Sequence, residues 1–192
     1  MSFMSRKPVI VVTDGDQTAY KALKEASRVL DLYLLRESRG NPTPLTGRHL
    51  VDRVLKAPNE PVVVMVDDRG QSATGPGERA LEVLLNAPEV RVLGVVAVAA
   101  NTRPVDGVRI DSSVTRRARI VQDAVDKEGK RQSSPMLYGD TVDVLDDDQG
   151  KIPIIGLGDP GKMQGLDSIE QGVPATRRAL QEILARSGYN AG

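Results

Sequence analysis

PVIVVTDGDQT, residues 8–18, is the stretch on which the fold turns. Its apolar run from Val9 to Val12 is continuous rather than alternating, the pattern of a strand covered on both faces. The run ends in Thr13 and the acidic turn Asp14-Gly15-Asp16. TAYKALKEASRVLD, residues 18–31, follows, with Ala19, Ala22, Leu23, Ala26, Val29 and Leu30 on one helical stripe. A buried strand, a polar turn and an amphipathic helix are the opening half of a parallel βαβ unit.

The same alternation continues outward. LYLLRES, residues 32–38, predicts a second strand that ends at the Gly40-Asn41-Pro42 turn signal. Leu50, Val51, Val54 and Leu55 mark a second helix, capped by Thr46 and stopped before Pro58. EPVVVMVDD, residues 60–68, predicts the third strand, and a helix opened by GPGE at residues 75–78 comes next. VRVLGVVAVAA, residues 90–100, is the fourth strand. KIPIIGL, residues 151–157, returns to the core, and PATRRALQEILARSG, residues 174–188, closes the chain as a helix. Pro174 suits its first turn and Gly188 its C-cap. Buried strands alternating with helices predict right-handed crossovers in a mainly parallel sheet. The expected fold is α/β, a three-layer sandwich of Rossmann-like or Toprim-like type, in a single domain over residues 1–192. Between 101 and 150 the alternation breaks. ARIVQDAVD (118–126) and GDTVDVLDD (139–147) read as strands around Gly129, which predicts a small antiparallel β-hairpin insertion over about residues 117–147.

Composition narrows the function classes. The 26 basic and 26 acidic residues cancel, so nothing favours a polyanionic partner, and nucleic acid is not expected. Aromatics make up 3% of the chain, which removes the platforms that base stacking needs. Cysteine is absent, excluding disulfides, thiolate catalysis and cysteine metal sites. The N-terminus MSFMSRKP has no apolar h-region, so no cleaved secretory signal is expected. No apolar run approaches the about 20 residues of a spanning helix, so a membrane role is expected to come through a partner.

Ligands of open parallel sheets gather at the carboxyl ends of strands. Three acidic corners should meet on that edge: Asp14-Gly15-Asp16, Asp67-Asp68 and Asp159. Converging carboxylates repel unless protons or a cation compensate them, and Mg²⁺ or Ca²⁺ takes such oxygen ligands. VIVVTDGDQT also fits the hhhhDxDxT motif of haloacid-dehalogenase-like phosphatases. There Asp14 would be the nucleophile and Asp16 the acid/base, both beside Mg²⁺, with Asp67, Asp68 or Asp159 completing the metal shell. A similar DGD segment before a helix occurs in Toprim-type metal sites. Against both, an aspartate at a strand end more often caps the next helix, as Asp16 would. No lysine stands where the phosphatase motifs place theirs, unless it is Lys127, Lys130 or Lys151. His49, the one histidine, is without His or Cys company and reads as a helix residue rather than a ligand.

IPIIGLGDPGKM, residues 152–163, spells both GxGxxG and GxxxxGK. A dinucleotide fingerprint needs its glycines at the first turn of a βαβ unit, with a strand to follow. Here one helix and no further strand remain. Pro160 also removes an amide from any phosphate cradle, and Met163 cannot hold Mg²⁺ as Ser or Thr does. A strand-to-loop turn is the expected structure.

Taken in order, VIVVTDGD, GNPTPLTG, VMVDDRG with GPGE, VLGVVAVAANT, GDTV and IIGLGDPGKM resemble the soluble form of the stage V sporulation protein AE family, which belongs to the spore dipicolinate-channel operon of endospore-forming Firmicutes. The similarity runs over about residues 8–189, with residues 127–137 departing most from the family pattern. The resemblance implies sporulation and germination, as a non-enzymatic accessory subunit peripheral to the spore inner membrane. Its implied partners are membrane subunits that move calcium-dipicolinate, or a germinant-receptor-like membrane protein; a homo-oligomer is compatible with it. The family implies no established cofactor and no catalytic residues. The alternative is a divalent-metal-dependent phosphohydrolase-like enzyme, or a metal sensor, built on Asp14-Gly15-Asp16. For a dicarboxylate such as dipicolinate, Arg69 and Arg103 are the candidate anion ligands near the strand ends.

Overall fold

The computed structural model describes residues 5–68, 75–100, 107–139, 145 and 152–189. The opening unit forms as its sequence predicts. Strand β1 (Lys7–Val12) is buried from Pro8 onward, and helix α1 (Gln17–Leu30) follows it. The Asp16 carboxylate accepts the Ala19 amide at 2.7 Å and satisfies one of the orphan donors of the first turn. Asp31, in the left-handed region with φ 56°, ends the helix.

Strand β2 (Tyr33–Leu34) is shorter than LYLLRES suggests, and a 3₁₀ turn (Arg36–Ser38) replaces its second half. The buried Ser38 hydroxyl donates to the Leu35 carbonyl and accepts the Met65 amide at 3.0 Å. That amide is thereby taken from any longer β2, and the ladder closes. Helix α2 (Gly47–Leu55) is capped by Thr46, whose hydroxyl accepts the His49 amide at 3.3 Å. Strand β3 (Val62–Met65), helix α3 (Pro76–Asn86) and strand β4 (Val90–Val98) complete the alternating part, with Gly75 and Pro76 opening α3.

The insertion is antiparallel, as expected, but its partners differ. Strand β5 (Val108–Arg109) is followed by β6 (Ser112–Val114) and β7 (Ile120–Val121), the last drawn from ARIVQDAVD. β7 folds back on β6, Ser113 facing Val121 and Val114 facing Ile120. The polar turn at 115–119 closes by the Ala118 amide on the Thr115 carbonyl and the Thr115 amide on the Arg119 carbonyl. A pairing this local costs less chain entropy than one reaching to residue 141. Strand β8 (Met136–Leu137) pairs with β5 in a separate two-stranded piece. Of GDTVDVLDD, only Gly139 and Leu145 fall within the described residues.

Strand β9 (Ile154–Leu157) and helix α4 (Pro174–Ser187) finish the fold. Among the described residues, seven strands form one sheet in the order β2-β3-β1-β4-β9-β6-β7. All its pairings are parallel except β6 with β7. Residues of α1 and α4 share one core cluster with Ile10, Val12, Val63 and Met65; residues of α2 and α3 share the other with Val9, Val11, Val62 and Val64. Successive residues of one strand thus feed opposite cores, which is why β3, and β1 beyond its first residue Lys7, carry no polar residue. This is the three-layer α/β sandwich. β3 lies between β2 and β1, so the order departs from the 3-2-1-4 of a doubly wound dinucleotide fold.

The loop between β9 and α4 is held by Asp167, which is fully buried. One carboxylate oxygen accepts the Ala175 amide at 2.8 Å and the Thr176 amide at 3.1 Å. The other accepts the Gly161 amide at 2.9 Å and the Thr176 hydroxyl. Asp167 therefore caps α4 from outside the helix while Val173, at the N-cap position, has a left-handed backbone and no capping side chain. Replacing Asp167 by Ala strands three amide donors. Unfolding in urea is expected to show Asp167→Ala less stable by roughly 3 kcal/mol or more, at about 1–3 per unsatisfied donor with partial hydration offsetting the sum. A loss below about 1 kcal/mol would show that the loop closes without this carboxylate.

Candidate functional site

The polar ends of β1, β3, β4 and β9 meet, as the parallel order requires, around one cavity of about 300 Å³. Asp14, Asp16, Asn41, Asp67, Lys127 and Asp159 line it. Thr13 and the end of β4 at Val98 supply its floor, and the Thr13 hydroxyl accepts the Val98 amide at 2.9 Å.

The geometry of the Asp14-Gly15-Asp16 turn is set by a close backbone approach. The Gly15 amide donates to Asp67 Oδ2 at 3.0 Å, and the Gly40 amide donates to the Gly15 carbonyl at 2.9 Å. A Cβ on Gly15 would sit 2.0 Å from the Gly40 carbonyl oxygen, so no side chain fits between the two aspartates. Asp67 is in turn fixed to the GNPTPLTG loop. Its amide donates to the Thr43 hydroxyl at 2.7 Å, and its carbonyl accepts the Thr43 amide at 2.9 Å.

The carboxylates have different commitments. Asp16 spends one oxygen on the α1 cap, and its other lies 3.9 Å from Lys162 Nζ. Asp14 accepts the Asp16 amide at 3.1 Å. Burial and the neighbouring Asp16 charge, with smaller contributions from Asp67 and Asp159, push the Asp14 carboxyl up to about 7. Burial also raises Asp159, against the opposing charges of Lys162 and Lys127. Asp68 faces away from this group: its Oδ1 accepts the Gly77 amide at 2.7 Å and the Glu78 amide at 3.1 Å, capping α3. It is not among the residues lining the cavity. Hard oxygen donors suit Mg²⁺ or Ca²⁺ in type. Among the described residues, however, no group of three or more His, Cys, Asp or Glu is disposed to hold a metal ion.

Arg69, Arg103 and Lys151 lie outside the described residues. His49 and Lys130 are exposed and away from the cavity, while Lys127 lines it. Sequence reasoning named the GNPTPLTG loop without singling out Asn41; its position before Pro42 in a turn was the available signal. The glycine loop is a strand-to-loop turn. A Cβ on Gly158 would meet the Gly129 amide nitrogen at 2.6 Å and the Lys127 carbonyl oxygen at 2.7 Å, and Gly161 has φ 84°. These glycines let β9 pass the insertion and deliver Asp159, whose amide donates to the Lys127 carbonyl at 2.8 Å.

The family model described as Stage V sporulation protein AE1 matches residues 8–187. No curated protein and no solved structure matches the chain.

A carboxyl raised from 3.8 to about 7 gives the folded protein a proton that the unfolded chain has released. Between those two values the native state binds more protons, so stability falls as pH rises and levels off above the upper one. Asp159 and Asp167 are displaced in the same direction and add to the slope. In Asp14→Asn the melting temperature is expected to fall less steeply between about pH 4 and pH 7, leaving the variant the more stable of the two near pH 8. Parallel curves for parent and variant would mean that Asp14 titrates alike in both states.

Proposed function

The chain belongs to the stage V sporulation protein AE1 family and so has a sporulation-related role, and on that premise we propose that it is a non-enzymatic accessory subunit of a membrane complex of the spore, peripheral to the inner membrane. The observation that carries the proposal is the span of the family match, which takes in every residue lining the strand-end cavity. The carboxylates of Asp16 and Asp67 are engaged in holding backbone amides, an arrangement suited to a rigid docking or sensing surface. No helix among the described residues is long and apolar enough to cross a membrane, so the proposal assigns that task to partner subunits. Those partners would be the subunits that move calcium-dipicolinate or a germinant-receptor-like protein. Affinity capture from cross-linked spore inner membranes is expected to recover at least one integral membrane subunit with this chain. Capture at full yield with none would overturn the assignment.

A second function is favoured by the convergence of Asp14, Asp16, Asp67 and Asp159 on one cavity: a divalent-metal sensor or phosphohydrolase-like enzyme using Asp14-Gly15-Asp16. A cation there would offset the burial and the neighbouring charges that raise Asp14 and return it to the charged form that a ligand or nucleophile must have. Isothermal calorimetry with Mg²⁺ and with Ca²⁺ is expected to show binding to the parent that weakens roughly tenfold or more in Asp14→Asn, the size of losing one charge-assisted contact. Absence of heat for both ions in the parent removes the sensor and the enzyme together.

A further inference from the structure

Among the described residues, three arginines gather at the opposite edge of the sheet. Where β4 starts, between the C-terminal ends of α3 and α4, lies a cavity of about 350 Å³. Arg6, Arg91 and Arg186 line it, with Leu85, Leu93 and Ile152 among its apolar walls. β4 begins at Val90 and, among the described residues, its ladder to β9 begins only at Val95, so Val90–Gly94 pair with no strand on that side. A β-bulge falls in the same place: Val9 faces Val92 and Ile10 faces Gly94, leaving Leu93 as the extra residue. Bulges re-aim side chains and recur beside binding sites.

Two of the three guanidinium groups are held by backbone alone. Arg6 Nη2 donates to the Val90 carbonyl at 2.6 Å, and Arg91 Nη2 donates to the Ser187 carbonyl at 3.1 Å. Arg186 is paired with Glu182 at 2.8 Å, and nearby Glu60 is paired with Lys7 at 3.6 Å. Among the described residues, neither Arg6 nor Arg91 has a carboxylate partner. Arginines at the end of α4 complement its last carbonyls, which accounts for Arg91 and Arg186. It does not account for Arg6, which lies just before β1 and reaches the same cavity.

We propose that this cavity is an oxyanion site, in which Arg6 and Arg91 hold a phosphate or carboxylate group whose apolar body rests on the Leu85, Leu93 and Ile152 wall. Each guanidinium presents five donors in a planar fork, and one on each is fixed to the backbone. The remaining donors are therefore oriented before a ligand arrives, and less side-chain entropy is lost on binding. The ligand is either a free small molecule or an anionic lipid headgroup, which offer the same chemistry.

The full chain, titrated with inorganic phosphate and with phenyl phosphate and followed by backbone amide shifts, distinguishes these. Saturable shifts are expected at Val90–Leu93 and Ser187–Tyr189, with phenyl phosphate the tighter of the two because of the apolar wall. Arg6→Gln, which lies before β1, and Arg91→Gln are each expected to weaken binding roughly tenfold or more. Arg6→Lys keeps the charge but loses the fork, and falls between parent and Arg6→Gln. Vesicles of phosphatidylglycerol in phosphatidylcholine, against phosphatidylcholine alone, form the second arm. Binding to the anionic vesicles alone that is lost in Arg6→Gln assigns the same site to a lipid headgroup. Binding by neither arm, or binding unchanged in folded Arg6→Gln and Arg91→Gln, overturns the proposal.

Discussion

The Gly15 amide bonded to Asp67 is the contact on which the upper edge of the molecule depends. It joins the turn after β1 to the end of β3, and through Thr43 it gathers the loop after β2 as well. Three chain segments therefore meet at one buried residue: the Asp67 carboxylate accepts the Gly15 amide, while the Asp67 backbone amide and carbonyl are both taken up by Thr43. A buried polar group left without such a partner costs about 1–3 kcal/mol. Gly15 is required because the Gly40 carbonyl occupies the space a Cβ would need. A phosphatase nucleophile loop, a Toprim loop and a purely structural turn can all share the spelling Asp-Gly-Asp. In this turn the middle residue is packed against a neighbouring backbone.

A sheet covered on both faces leaves polar side chains only its two ends. At the carboxyl ends of the strands the chain collects Asp14, Asp16, Asp67 and Asp159; at the amino ends of β1 and β4, and around the end of α4, it collects Arg6, Arg91 and Arg186. The helix termini reinforce this separation. Asp16 and Asp68 serve helix N-termini, where amides and the macrodipole favour negative charge, and Arg91 and Arg186 stand at a C-terminus. A chain with zero net charge thus gathers, among its described residues, aspartates at one edge of the sheet and arginines at the other.

Where local chemistry decides structure, the sequence was legible. The caps at Asp16, Thr46, Pro76, Pro174 and Gly188 stand where turn and helix signals placed them, because each satisfies a donor or a backbone geometry within a few residues. Misreadings came where a distant partner decided. LYLLRES has the composition of a full strand, yet Ser38 takes the Met65 amide from 27 residues away and turns the chain aside. ARIVQDAVD does pair antiparallel across Gly129, Val125 with Arg131, while its Ile120 and Val121 join β6 rather than GDTVDVLDD. Asp67 and Asp68 are adjacent and chemically alike, yet just beyond β3 they go to different places, one to the cavity and one to the α3 cap. Asp167 gave no signal at all. It stands in a loop with no motif, and its role exists only once Gly161 and Thr176 are brought to it.

Convergence of charge is not in itself readiness to bind. At the acidic edge, Asp16 and Asp67 already accept backbone amides, and Asp14, buried and beside the Asp16 charge, keeps a proton to about pH 7. Any cation entering there must displace that proton and compete with amides for oxygen lone pairs. At the basic edge the situation is reversed. There Arg6 and Arg91 use backbone carbonyl oxygens as their partners. A neutral carbonyl orients a guanidinium without neutralising it. The acidic edge is thus largely satisfied by the fold that made it, while the basic edge is positioned by the fold and left with charge to spend on a ligand.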